Sequence, residues 1–184
     1  MWIFDYFSYI CIAFFLILGL VRILRKNKRE VYTEEMCKKI PDKKIVILVR
    51  KINKSILFFG FLSIFLSFSI MLSTFVFKHF ENGYLNTICS ILIVVGVVIS
   101  FIPTRHVNSS YSSSLMMLRD EIFDYYKEYN FKSIYEWHNS KKFNSSDITQ
   151  KECMFLLKTY PIFFYIIFTG KIIFYVGAFC ICLF

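Results

Sequence analysis

The sequence predicts an all-α, polytopic membrane protein with four transmembrane helices and short cytoplasmic helices. Three observations carry that prediction. Four blocks almost free of charge, Trp2–Leu24, Ser55–Phe77, Leu85–Pro103 and Pro161–Phe184, each run for about 20 residues, the length a helix rising about 1.5 Å per residue needs to cross a hydrocarbon layer. The chain is 57% apolar and carries 23 Phe in 184 residues, more large apolar side chains than one soluble core of this size can hide. The formal charge of +9 sits almost wholly in one connecting stretch, the pattern that positive-inside sorting gives a cytoplasmic loop.

Residues 1–24 form the first expected membrane helix. Nothing basic precedes the apolar run, no small-residue cleavage site follows it, and the charges come after it. That order predicts an uncleaved anchor with its N-terminus outside rather than a secretory signal. Between Arg22 and Lys54 lie twelve basic and four acidic residues, so residues 25–54 belong on the cytoplasmic side. Pro41 divides this segment. Asp42 can cap a helix starting at Lys43, in which Ile45, Leu48, Val49 and Ile52 recur at helical spacing. That stripe either lies along the anionic inner leaflet or continues the membrane helix as a stalk. Positive-inside topology accounts for the basic balance, and no aromatic or Gly-rich nucleic-acid motif accompanies it. Direct nucleic-acid binding is therefore not expected.

Residues 55–103 form a hairpin of the second and third membrane helices, whose connection at 78–84 has a single Lys. Ser63 and Ser67, Ser69 and Ser73, and Gly96 and Ser100 are spaced for close helix contact. They predict packing of the second helix on the third, with a subunit interface as the other reading. Residues 104–160 return to the cytoplasm, with eight basic and seven acidic residues. Within 111–130, Leu115, Leu118, Ile122, Tyr126 and Tyr129 share one face of an amphipathic helix. The other face, with Arg119, Asp120, Asp124 and Lys127, and a patch around Tyr135 and Trp137, are the expected contacts for a soluble partner. Ser146 or Asp147 can cap a further helix, which joins residues 161–184, the fourth membrane helix, with a bend or offset at Pro161.

Sites for chemistry are scarce. His79, His106 and His138 lie in three separate places, and the six cysteines (Cys11, Cys37, Cys89, Cys153, Cys180, Cys182) show no metal-ligand spacing. No nucleophile with a paired base and no phosphate-binding glycine loop is visible. No catalytic residue, metal or cofactor is expected, and an enzyme is not. The one discordant residue is Lys171, in the middle of an apolar segment and flanked by Gly170 and Gly177 on nearly the same face. A lysine there costs about 2.5–3.5 kcal/mol, which favours a site facing protein or water over lipid. Three roles are open: a pair with Asp5, a cation ring in an oligomeric pore, or snorkelling with a structural role only.

Two resemblances follow from this layout. A membrane hairpin followed by RHVNSSYSSSLMMLRDEI at 105–122 is similar to SLATT-type membrane effectors of bacterial nucleotide-signalling defence, here with a further membrane helix at each end. The whole chain resembles the KwaA family, the four-helix membrane subunit of the two-gene Kiwa anti-phage system, in length, spans and placement of the cytoplasmic segments. That resemblance implies a homo-oligomeric inner-membrane sensor or scaffold that recruits a soluble DNA-binding partner, KwaB. The expected partners are thus membrane lipids, further copies of the chain and a cytoplasmic protein. The alternative is a small pore-forming, channel or holin-like protein acting on membrane permeability.

Overall fold

A computed structural model describes residues 2–76, 83–101, 115–128 and 150–183, with side chains described for 8–73, 87–100, 115–127 and 159–182. Those residues are helical, with no strand among them. The helices are α1 (Trp2–Leu24), α2 (Lys26–Lys39), α3 (Lys43–Val76), α4 (Gly83–Phe101), α5 (Leu115–Glu128) and α6 (Gln150–Leu183). Two of them, over Lys43–Ser73 and Thr159–Cys182, are long and apolar enough to cross a membrane, and the bent pair Ser8–Leu24 with Lys26–Lys39 makes a third if taken as one span. The described apolar part of α4, Thr87–Ser100, is shorter. Of the four-span prediction, an all-helical chain with two or three such helices is what the described residues hold.

The four apolar helices form a row, α1–α3–α6–α4. Ile12 and Gly19 of α1 meet Ser67 and Gly60 of α3, an antiparallel crossing. Phe58 and Phe59 of α3 meet Phe168 of α6, and Phe65 meets Phe179, a parallel one. Gly96 and Gly177 bring α4 antiparallel onto α6. α6 therefore lies between α3 and α4, and the expected packing of the second predicted membrane helix directly on the third is corrected. Close approach explains why α6 wins. A Cβ on Gly96 would sit 2.7 Å from the carbonyl oxygen of Gly170, and one on Gly170 would sit 2.8 Å from that of Gly96. Backbone-to-backbone contact of this kind is open only to helices with glycine at the crossing. The outward faces of the row are apolar, with Phe14, Ile17, Phe61, Phe65, Val94 and Val98 exposed, as lipid-facing surfaces are.

At one end of the row the helices carry a polar layer. α3 is continuous from Lys43 into the apolar segment, so the stalk reading holds and the stripe Ile45, Leu48, Val49 and Ile52 is buried against α2 and α5. The main-chain carbonyl of Asp42 accepts from the Val46 N–H at 3.1 Å, the first bond of α3. α5 buries Leu115, Leu118, Ile122 and Tyr126, as its periodicity predicts, and Phe123 and Tyr125 with them. α2 leaves α1 at a 50° bend and returns along α3, clipped by a two-point ion pair from Arg50 to Glu34 at 3.0 and 2.7 Å. That pair pulls the exposed Glu34 carboxyl below its ordinary pKa, the hydrogen bond being the largest cause. α6 is continuous through Pro161, although proline removes one ladder bond.

Candidate functional site

The site lies where the polar layer meets the apolar row. Arg22 lies in the last turn of α1, and the 50° bend at Arg25 turns α2 onto α3, so three successive helical segments converge on one hollow. The cavity has a volume of about 460 Å³, within the range of roughly 300–1,000 Å³ that holds small ligands. Leu18, Val21, Ile56 and Phe59 supply its apolar wall on the membrane side, and Tyr32, Leu115 and Met116 close it on the other. Six cations complete the lining: Arg22, Arg25, Lys28, Arg29, Arg119 and Lys171. No carboxylate lines it among the described residues.

Helical geometry explains how six cations share one hollow. Arg22, Arg25 and Arg29 recur at three- and four-residue spacing along α1 and α2, so they fall on one face despite the bend. Lys171 reaches the same place from α6, and Arg119 from α5. Two of the six are fully sequestered: Arg29 is 8% exposed and Arg119 is 4% exposed. Arg29 donates through Nη2 to the main-chain oxygen of Arg22 at 2.7 Å, while its Nε is buried without a partner. Arg119 donates through Nε and Nη2 to Asp120 Oδ1 at 2.9 and 2.6 Å and lies over the Phe123 ring at 5.8 Å, while its Nη1 is likewise orphaned. Burial lowers the pKa of Arg29 from an arginine's ordinary value, and the nearby Arg119 lowers it further; a guanidinium nonetheless stays charged at any physiological pH. The site thus holds like charges close together with donors left over, which is costly unless an anion answers them.

Just beyond the cavity the helices are locked by a polar cluster. Ser63 Oγ donates to the Phe59 carbonyl at 2.7 Å and lies 2.5 Å from the Tyr175 hydroxyl, which itself reaches that carbonyl at 3.3 Å. Arg22 Nη1 approaches the same two acceptors, Ser63 Oγ at 3.4 Å and Phe59 O at 3.5 Å. Ser67 Oγ donates to Ile12 O at 3.1 Å. The rings of Phe59 and Tyr175 stack 5.7 Å apart. This cluster ties α1, α3 and α6 together on the wall of the hollow.

The chain matches no protein-family model, no curated protein and no solved structure.

The sequence-predicted residues divide among these features. Lys171 lines the cavity beside Arg22 rather than standing alone in the apolar segment. The Asp5 side chain, one of the three answers open for Lys171, lies outside the described residues. Ser63 and Ser67 serve α1 and α6. Gly96, Ser100, Gly170 and Gly177 serve the α4–α6 crossing. On α5, Asp124 and Lys127 face outward and Asp120 is half-buried, but Arg119 does not belong to that outer face. Its side chain turns inward over Phe123, so its expected role as a partner contact is corrected to that of a cavity wall. Tyr135 and Trp137 lie outside the described residues. Sequence reasoning missed Arg25, Lys28 and Arg29 as a site, because positive-inside sorting already explained every one of them. The signal that could have found them is the spacing 22, 25, 29 continuing the face of the membrane helix.

Proposed function

We propose that this chain is a four-span inner-membrane sensor or scaffold that couples an event in the membrane to a soluble cytoplasmic partner. Both termini face outward, and α2 and α5 form the cytoplasmic surface. The observation that carries this reading is the seating of α5. Its apolar face is buried on α3 and α6, the same two helices that run into the apolar row, while Met116, Met117, Asp124 and Lys127 stay exposed. Any displacement of α3 against α6 is therefore felt at a surface open to the cytoplasm. The likeness in layout to KwaA supplies the biological setting, a homo-oligomeric subunit of a bacterial anti-phage system with a KwaB-like DNA-binding partner.

Co-expression of the tagged chain with the soluble protein encoded beside it tests the reading. Copurification that is lost in Asp124→Lys/Lys127→Glu, with membrane insertion intact, supports it. Absence of any copurifying partner together with dye leakage from vesicles holding the chain alone would replace it with the pore-forming alternative.

A further inference from the structure

The charge of the cavity works against the packing of the helices around it. Six cations around about 460 Å³ repel one another, and among the described residues the one carboxylate hydrogen-bonded to them, Asp120, takes only Nε and Nη2 of Arg119. Two buried arginines keep a donor each without a partner. Buried donors of this kind are paired in the great majority of folded proteins, and both arginines line the same hollow, so the cluster points to an acceptor that the described residues do not supply. The acceptor must be anionic, oxygen-rich and able to take several donors at once, which describes a phosphate group better than a carboxylate. The walls add a second requirement. The side of the cavity formed by Leu18, Val21, Ile56 and Phe59 is apolar and belongs to helices in the membrane row, while Arg25, Lys28 and Arg29 belong to the polar layer. A ligand filling both halves is charged at one end and apolar at the other.

We propose that this cavity binds a phosphate group, with Arg29 and Arg119 as its buried donors and Arg22, Arg25, Lys28 and Lys171 as the surrounding cations. The split between apolar and cationic walls assigns the phosphate to the headgroup of an anionic lipid of the inner leaflet. Basic pockets between membrane helices on the cytoplasmic side are a known physical solution for such headgroups. The inference rests on the membrane part of the proposed function alone and is independent of any cytoplasmic partner.

Thermal unfolding of the purified full chain in neutral detergent tests it. Phosphatidylglycerol added to the micelles raises the melting temperature saturably, whereas phosphatidylcholine, whose phosphate is internally neutralised, does not. In Arg119→Gln and Arg29→Gln the phosphatidylglycerol needed for half of the shift rises about ten-fold or more, the loss of at least one charge-assisted hydrogen bond. Each variant also loses a bond within the chain, to Asp120 or to the Arg22 carbonyl, so the test is read from the lipid needed for half of the shift and not from the baseline melting temperature. Lys38→Gln, an exposed cation of α2 away from the cavity, leaves the lipid response unchanged. A full shift with millimolar inorganic phosphate alone keeps the phosphate site and assigns it to a soluble ligand. Equal responses to both lipids, or an equal loss in Lys38→Gln, would overturn the proposal. Because no partner enters the assay, its failure leaves the copurification experiment standing, and the reverse.

Discussion

The hydroxyl of Tyr126 in α5 donates to the carboxylate of Asp42, the residue that opens α3, at 2.6 Å across 84 residues of sequence. One bond thus joins α5 to the start of α3. Tyr126 is fully buried, and burial, with the bond to Asp42 as the next cause, raises its pKa far above that of an ordinary tyrosine. A raised pKa in the folded state means the proton is held more tightly there than in the unfolded chain. The stability so contributed is whole below about pH 10, the ordinary tyrosine value, and is lost as pH rises beyond it. Thermal unfolding in detergent should show a decline above pH 10 that is shallower in Tyr126→Phe. At pH 7 that variant should be less stable by about 1 kcal/mol, the worth of one hydrogen bond.

Glycine contacts give a rank order. A Cβ at Gly96 meets the main chain of Phe174 and the Gly170 oxygen at 2.7 Å, whereas one at Gly177 comes no closer than 2.9 Å to the Cys89 oxygen. Gly96→Ala and Gly170→Ala should each destabilise by about 1–3 kcal/mol through overpacking, and Gly177→Ala by less. Melting temperatures of the three variants check the order, and a neutral Gly96→Ala would contradict the crossing.

Tyr175→Phe removes the hydroxyl that meets Ser63 but keeps the ring stacked on Phe59. Ser63 retains its bond to the Phe59 carbonyl, so the loss should be small, about 0.5–1.5 kcal/mol for an interhelical hydrogen bond. Tyr175→Leu, which loses the stack as well, should cost more. The difference between the two, read from unfolding in detergent, separates ring from hydroxyl.

Thr33 offers a gain. Its hydroxyl, on α2, is buried without a partner, and Thr33→Val keeps the shape while removing the orphaned group. An increase of about 1 kcal/mol is expected, measured as a higher melting temperature with unchanged helix content by circular dichroism.

Much of the fold could be read from residues in order because apolar periodicity is strong where burial is strong. Ile45, Leu48, Val49 and Ile52, and then Leu115, Leu118, Ile122 and Tyr126, mark their buried faces without ambiguity. α2 was not legible, since the residues it buries are Arg29, Thr33, Met36 and Cys37. They recur at helical spacing, but two of the four are polar, so hydropathy shows no face. The pairing of helices was hidden for another reason. Small-residue spacing reveals that Gly96 and Ser63 approach something closely, but not which helix supplies the other side. Lys171 could be singled out from sequence; its neighbours could not, because Arg22 and Arg119 come to it from helices distant in the chain.

The 34 residues of α3 make a rod of about 50 Å at 1.5 Å per residue, while a hydrocarbon core is only about 30 Å thick. Bilayer thickness and rod angle are then linked, since a hydrophobic stretch answers a thinner membrane by leaning over. A lean of about 10° about the rod's midpoint carries its Lys43 end sideways by roughly 4 Å, from the same rise per residue. With Asp42 at that tip, a local change in membrane thickness would arrive at Tyr126 as a sideways pull.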